Sequence, residues 1–159
     1  MEFFTLGVYH STESRFLDKL KKNGIDAFCD IRQRRGVRGP LYPFANAARL
    51  EGLLAESGIR YRHVLGLAPT EKIKAVQLKA DAGEKISIRD RTRLDPAFAQ
   101  AYTRQVLDKF DVDAFLKELK ASGARKVVLF CVEEHAEACH RSLVAGRLHD
   151  QYHYKVTNL

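Results

Sequence analysis

The sequence predicts an α/β fold: a three-layer domain on a mainly parallel, five-stranded sheet with helices on both faces, Rossmann-like or flavodoxin-like in type. Three observations predict it. Apolar segments alternate with amphipathic ones along the whole chain, which is how successive βαβ units read. A helix-stop signature recurs in Lys22-Asn23-Gly24-Ile25, Glu56-Ser57-Gly58-Ile59 and Ala121-Ser122-Gly123-Ala124. Glycine there supplies the left-handed backbone that ends a helix. Finally, Val127-Val128-Leu129-Phe130-Cys131-Val132 is unbroken apolar and partly β-branched, as a parallel strand covered on both faces must be. Right-handed crossovers then distribute the helices over the two faces.

Each element has its own signal. Phe3 to Tyr9 forms the first strand. Thr12 or Ser11 caps a helix running to about Lys22, with Phe16, Leu17 and Leu20 turned inward. Ala27 to Ile31 is the second strand. A long loop follows from Arg32 to Pro43, carrying Arg32, Arg34, Arg35 and Arg38 among the turn-formers Gly36, Gly39 and Pro40. Asn46 caps the next helix, which buries Leu50, Leu53 and Leu54, and Arg60 to Val64 is the third strand. The alternation breaks between about residues 65 and 95, a basic insertion. It holds a helix from Thr70 to Ala82 and then Lys85-Ile86-Ser87-Ile88-Arg89-Asp90-Arg91-Thr92-Arg93. Asp95-Pro96 is a cap followed by proline at the first helical position, opening a helix to about Phe110. Asp111 or Asp113 starts another that ends near Ser122. Lys126 to Val132 is the fourth strand, the last helix runs from about Ala136 to Asp150, and Tyr152 to Thr157 is the fifth strand.

Length and composition bound the rest. A chain of 159 residues with no linker or low-complexity tract is read as one domain. The net charge of +7 favours an anionic partner, a nucleic acid, a nucleotide or another phosphate; the bland alternative is a basic protein with none. Three cysteines, an odd number, and a start (Met1-Glu2-Phe3-Phe4) without a basic region point to the reducing cytoplasm. No apolar run approaches the roughly 20 residues that span a bilayer, so no membrane association is expected.

The reactive groups crowd behind the fourth strand, from Cys131 to Ser142. The carboxyl ends of the strands are where open α/β sheets bind ligands. Cys139-His140-Arg141-Ser142 is placed in the first turn of the last helix, where unpaired N–H groups and the helix dipole favour an anion. That field, with His140 and Arg141 beside it, makes Cys139 a candidate thiolate. Arg141, with Ser142, is a candidate phosphate clamp. Equally open is the plain reading in which Cys139 packs as a small apolar residue. Glu133 shares a strand face with Cys131 and could act as general acid or base; Cys131 itself reads as a buried core thiol. Asp30 and Arg32 repeat the geometry after the second strand, either as a general base beside a phosphate-binding arginine or as an ion pair fixing the loop. His10 and Ser11 end the first strand at the same rim. Tyr9, Tyr42 and Tyr61 offer a stacking surface for a base. No metal and no cofactor are expected: the C-x7-C spacing is not that of a closed zinc site, and neither a phosphate-cradling glycine loop nor a Gly-x-Ser-x-Gly elbow is present.

These motifs resemble a known family. Thr5-Leu6-Gly7 with His10-Ser11, Asp30-Ile31-Arg32, Gly58-Ile59-Arg60-Tyr61, and Cys131-x-Glu133 with Cys139-His140-Arg141 together resemble the domain-of-unknown-function family 488 over essentially the whole chain. The cysteine-containing pair is the specific part. The resemblance implies a small α/β domain with its signature residues at the strand ends, and no settled activity. A common form of the family has the glycine contiguous with His-Ser, whereas Val8 and Tyr9 intervene here.

The expected function is that of an enzyme acting on nucleic acid or a nucleotide, hydrolytic in type, such as N-glycosidic cleavage of the DNA-glycosylase kind. Asp30 or Glu133 would activate water, with His10, Cys139 and His140 in the same crevice. Arg32, Arg34, Arg35, Arg38, Arg89, Arg91, Arg93 and Arg141 would hold phosphates. The alternatives are a cysteine-dependent enzyme with Cys139 as nucleophile, and a non-catalytic anion-binding module.

Overall fold

The structure is a computed structural model describing residues 1–159. Five strands form one sheet: β1 (Glu2–Leu6), β2 (Ala27–Asp30), β3 (Arg60–His63), β4 (Lys126–Phe130) and β5 (Val156–Asn158). Their order is β3-β2-β4-β1-β5, and every neighbouring pair is parallel. Six α-helices cover it: α1 (Glu13–Lys22), α2 (Ala47–Glu56), α3 (Glu71–Glu84), α4 (Pro96–Gln105), α5 (Val112–Ala121) and α6 (Arg141–Tyr152).

The alternation of inward and outward residues along each strand divides the core in two. Phe4, Leu6, Phe28, Val128 and Phe130 pack under Phe16 and Leu20 of α1 and Leu50 and Leu54 of α2. Phe3, Cys29, Val127 and Leu129 point the other way, under Phe98 and Tyr102 of α4, Phe115 and Leu119 of α5, and Val144 and Leu148 of α6. The three layers that the sequence predicts are therefore present, with a sheet that is wholly parallel.

Caps set most helix starts. Thr12 caps α1 and Thr70 caps α3 through their hydroxyls, while Asp95 and Asp111 cap α4 and α5 through their carboxylates. Asn46 precedes α2 but does not cap it; its Oδ1 accepts from the Val37 amide at 2.7 Å and so ties down the arginine loop. The helix expected from Asp95 to Phe110 stops at Gln105 and gives way to a 3-10 turn at Leu107–Lys109. The largest departure is at the last helix. Residues Ala136–Ala138 form a separate 3-10 turn, Cys139 is extended (φ −137°, ψ 144°), and α6 begins only at Arg141. Helix α6 also runs on to Tyr152, and His153, in the left-handed region at φ 57°, turns the chain into β5.

Strand order places the site. The chain leaves β2 towards β3 and leaves β4 towards β5, in opposite directions, and β2 and β4 are neighbours. Diverging connections open a crevice at the carboxyl ends of such a pair. No helix is long and apolar enough to cross a membrane.

Candidate functional site

A cavity of about 700 Å³ occupies that crevice. One wall is the arginine loop after β2, with Arg32, Arg34, Val37 and Arg38. The other is α3 (Lys74, Gln77, Leu78) and the basic segment after it (Ser87, Ile88, Arg89, Arg91). The floor is Cys131, Glu133, Cys139 and His140, and Tyr9 and Phe98 line the sides.

The floor is built from the ends of two elements. Cys131 directly follows β4, and its amide donates to the Leu6 carbonyl of β1. His140 immediately precedes α6. Its Nε2 lies 3.1 Å from the Ile31 carbonyl just past β2, so Nε2 carries the proton and Nδ1 turns to Cys139 Sγ, 3.7 Å away. The donor atoms of Cys131, Cys139 and His140 all lie within 4.8 Å of one another.

Electrostatics separate the two thiols. Burial pushes the Cys139 thiol up, but a hydrogen bond with Cys131 and the positive charges of His140 and Arg141 outweigh it and hold Cys139 well below the ordinary thiol range. Cys131 moves well upwards, because it hydrogen-bonds to Cys139 and is buried itself. Burial depresses His140, yet the adjoining Cys139 charge leaves it raised. Glu133 is pushed up to about 7 by burial and by Cys139, against the pull of Arg91.

Arg91 is a buried pin. Its Nη2 donates to Glu133 Oε1 at 2.7 Å, its Nη1 to Asp81 Oδ2 at 2.9 Å and its Nε to the Ala138 carbonyl at 3.2 Å. Asp81 in turn accepts from Gln77, whose Oε1 accepts from the Asp95 amide. This network fastens α3, the basic segment and the floor together. It leaves Glu133 Oε2, a buried oxygen, without any partner.

Asp30 and Arg32 form a closed unit. Asp30 is 0% exposed; it accepts from Arg32 Nε at 2.9 Å, from Arg32 Nη2 at 2.7 Å, from the Arg32 amide at 3.1 Å and from the Tyr61 hydroxyl at 2.9 Å. Arg32 Nη1 donates to the Ala45 carbonyl, and its guanidinium lies over the Phe130 ring. Every acceptor position of Asp30 is taken, so its geometry is that of a loop-fixing ion pair. Arg141, 2% exposed, does not line the cavity: Nη1 and Nη2 donate to the Glu133 and Glu134 carbonyls at 2.6 and 2.7 Å. Ser142 Oγ bonds back to the Cys139 carbonyl.

The remaining candidates divide sharply. Arg35 pairs with Glu51 and Arg93 with Glu84 on the surface, outside the cavity. Arg34 lies 3.3 Å from Glu71. Arg38 and Arg89 line the cavity and enter no ion pair; Arg89 sits over the Tyr9 and Tyr42 rings. Tyr9 reaches the cavity, but Tyr42 is buried beside it with its hydroxyl accepting from the His10 amide, and Tyr61 lies on β3 against Phe28. His10, in the left-handed region at φ 58°, and Ser11 face a neighbouring hollow with Arg15, Lys19 and His135. The convergence expected at positions 10, 30 and 133 thus narrows to Glu133 with the residues before α6.

Three contributors to the site were not among its predicted residues. Gln77 and Asp81, four apart on α3, are polar groups on an inward face. Gly7 permits contact between backbones: a Cβ there would stand 1.8 Å from the Glu133 carbonyl oxygen. The Val8 and Tyr9 amides that follow both donate to the Val132 carbonyl, binding the β1 end to the floor.

Comparison with known proteins adds one match. The family model described as a domain of unknown function, DUF488, matches residues 12–148. No curated protein and no solved structure matches the chain.

Proposed function

We propose, from the premise that the chain belongs to the family of the domain of unknown function DUF488, that its cavity is the reaction site of a hydrolytic enzyme for a phosphate-bearing substrate. A nucleotide, or one nucleotide turned out of a strand, is the fitting size. A space of about 700 Å³ lies within the roughly 300–1,000 Å³ of small-molecule sites.

One observation carries this reading. Two guanidinia without carboxylate partners, Arg38 and Arg89, flank a cavity whose floor gathers a carboxylate, an imidazole and two thiols. Arginine in such a place binds phosphate through paired N–H donors. Tyr9 and Phe98 give the base an apolar side wall. Glu133 is the one carboxylate on the floor, and with Oε1 held by Arg91 and Oε2 buried without a partner, it is the group we assign to take a proton from water. Asp30, fully bonded already, has no part in the step.

The test is binding and turnover with a panel of nucleoside monophosphates and short single strands, at low and raised salt. The reading expects salt-sensitive binding and loss of product formation in Glu133→Gln. Absence of binding to every phosphate-bearing ligand would remove it.

A second reading rests on the 3.7 Å contact between Cys139 Sγ and His140 Nδ1. Such a pair is also the arrangement of a thiol nucleophile and its base. Rapid alkylation of Cys139 in the purified protein supports it, and an inert thiol removes it.

A further inference from the structure

We propose that Cys131, Cys139 and His140 bind one zinc-type divalent cation, whose fourth coordination position opens into the cavity and holds a water. The proposal deepens the hydrolytic reading and rests on it, because it supplies the water that the reaction consumes.

Geometry is the first ground. The two Sγ atoms and a ring nitrogen of His140 lie within 4.8 Å of one another, with 3.7 Å between Cys139 Sγ and His140 Nδ1. Bonds of about 2.3 Å to sulfur and 2.0 Å to nitrogen at a tetrahedral angle separate such atoms by roughly 3.5 Å. The side chains are placed for a shared ion with only a small adjustment.

The second ground is the outer partner. An imidazole that ligates a metal through one nitrogen almost always donates its other N–H to a carbonyl or carboxylate. His140 does this, with Nε2 on the Ile31 carbonyl at 3.1 Å. With Nε2 engaged there, Nδ1 is the nitrogen left facing Cys139 Sγ and free to ligate once its proton is displaced by the ion.

The third ground is Glu133. Glu133 lines the cavity; Arg91 holds its Oε1, and its Oε2 is buried with no partner. A carboxylate that stands beside a Cys-Cys-His ion without ligating it is the arrangement that takes the proton from zinc-bound water in hydrolytic base-modifying sites. Here the water would give its proton to Oε2 and remain on the ion as hydroxide. The C-x7-C-H spacing departs from closed structural sites, whose ligands come in tight pairs. An open site needs no such pair, because the end of β4 and the start of α6 bring its ligands together.

The experiment uses the full chain, treated with a chelator, confirmed as folded by circular dichroism, and titrated with cobalt(II) alone. One equivalent should bind, with a thiolate-to-cobalt charge-transfer band and visible bands of tetrahedral intensity. Cys131→Ser and Cys139→Ser should each weaken binding by more than the roughly 10–100-fold that loss of an outer partner brings. Cys29→Ala, a thiol outside the trio, should leave it unchanged. Where a variant fails to fold, X-ray absorption of the cobalt-loaded wild type decides: two sulfur ligands and one imidazole support the site. A folded protein that takes up no cobalt, or cobalt held by oxygen alone, overturns it. Nucleotide binding is measured on the metal-free protein in parallel. Its survival without cobalt uptake sinks the metal and leaves the phosphate site standing, and the reverse result does the opposite.

Discussion

His140 Nε2 lies 3.1 Å from the Ile31 carbonyl, a bond that joins the residue before α6 to the residue after β2. The two strand ends that bound the cavity are therefore fastened to each other through the imidazole that belongs to its floor. His140→Ala leaves a buried carbonyl unpaired, which costs about 1–3 kcal/mol. Urea unfolding should show that loss. In the wild type, nitrogen-15 spectra should find His140 with Nε2 protonated and its hydrogen slow to exchange.

Arg91 should be the costliest arginine to remove. It joins Asp81 and Glu133 across 2.9 and 2.7 Å in a buried network, and breaking such a pair costs about 3–5 kcal/mol because the partner charges stay buried. Arg91→Ala should show this in denaturant midpoints. Adding Glu133→Ala should recover part of it, since one orphaned charge is then gone. A loss in the double variant equal to the sum of the losses in Arg91→Ala and Glu133→Ala would show no coupling between the two residues.

Gly7 and Gly52 should respond in opposite ways to alanine. A Cβ at Gly7 would stand 1.8 Å from the Glu133 oxygen, whereas one at Gly52, inside α2, meets nothing within 4 Å. Gly7→Ala must push the β1 end away from Glu133 and should destabilise by several kcal/mol, at or beyond the upper end of overpacking costs of about 1–3 kcal/mol. Gly52→Ala should stabilise by about 0.5–1 kcal/mol. Thermal melts of the two variants check both.

Stability should fall on the alkaline side. Burial pushes Cys29 up to about 12 from 9.0, and burial pushes Tyr61, which also donates to Asp30, up to about 12 from 10.0. The folded state keeps these protons longer than the unfolded chain does. Their stabilisation is complete below the unfolded values, starts to be lost near pH 9 for the thiol and pH 10 for the phenol, and is gone by about 12. At the fully buried Cys29, every tenfold gain in proton affinity on folding is worth about 1.4 kcal/mol. Denaturant midpoints from neutral to strongly alkaline pH should decline in this window, and less steeply in Cys29→Ala.

The fold was legible because its signals were local and redundant. Each Gly-punctuated helix end, each Thr or Asp cap and the apolar run at Val127 pointed to the same layers. The last helix was misplaced because Ala136-Glu137-Ala138 favours a helix, yet Cys139 is extended and α6 starts two residues later. The gathering of Glu133, Cys139 and His140 was foreseeable from their place after a buried strand. What each arginine contacts was not. Arg91 and Arg93 are two apart in one basic run, yet one lies buried between Asp81 and Glu133 and the other pairs with Glu84 on the surface. Only tertiary contact separates them. Asp30 was similarly ambiguous, because the Tyr61 hydroxyl that helps to saturate it lies 31 residues away on β3.

The central claim is that the cavity, rather than positive charge in general, receives a phosphate-bearing ligand. Nucleotide affinity at low and raised salt in Arg38→Ala and Arg89→Ala, set against Arg35→Ala and Arg93→Ala, tests it most directly. All four remove one positive charge, but only the first pair lines the cavity. The account predicts weaker binding and a salt slope reduced by about 1 in each of the cavity variants, with the surface variants near wild type. Equal losses in all four, or none in any, would contradict it.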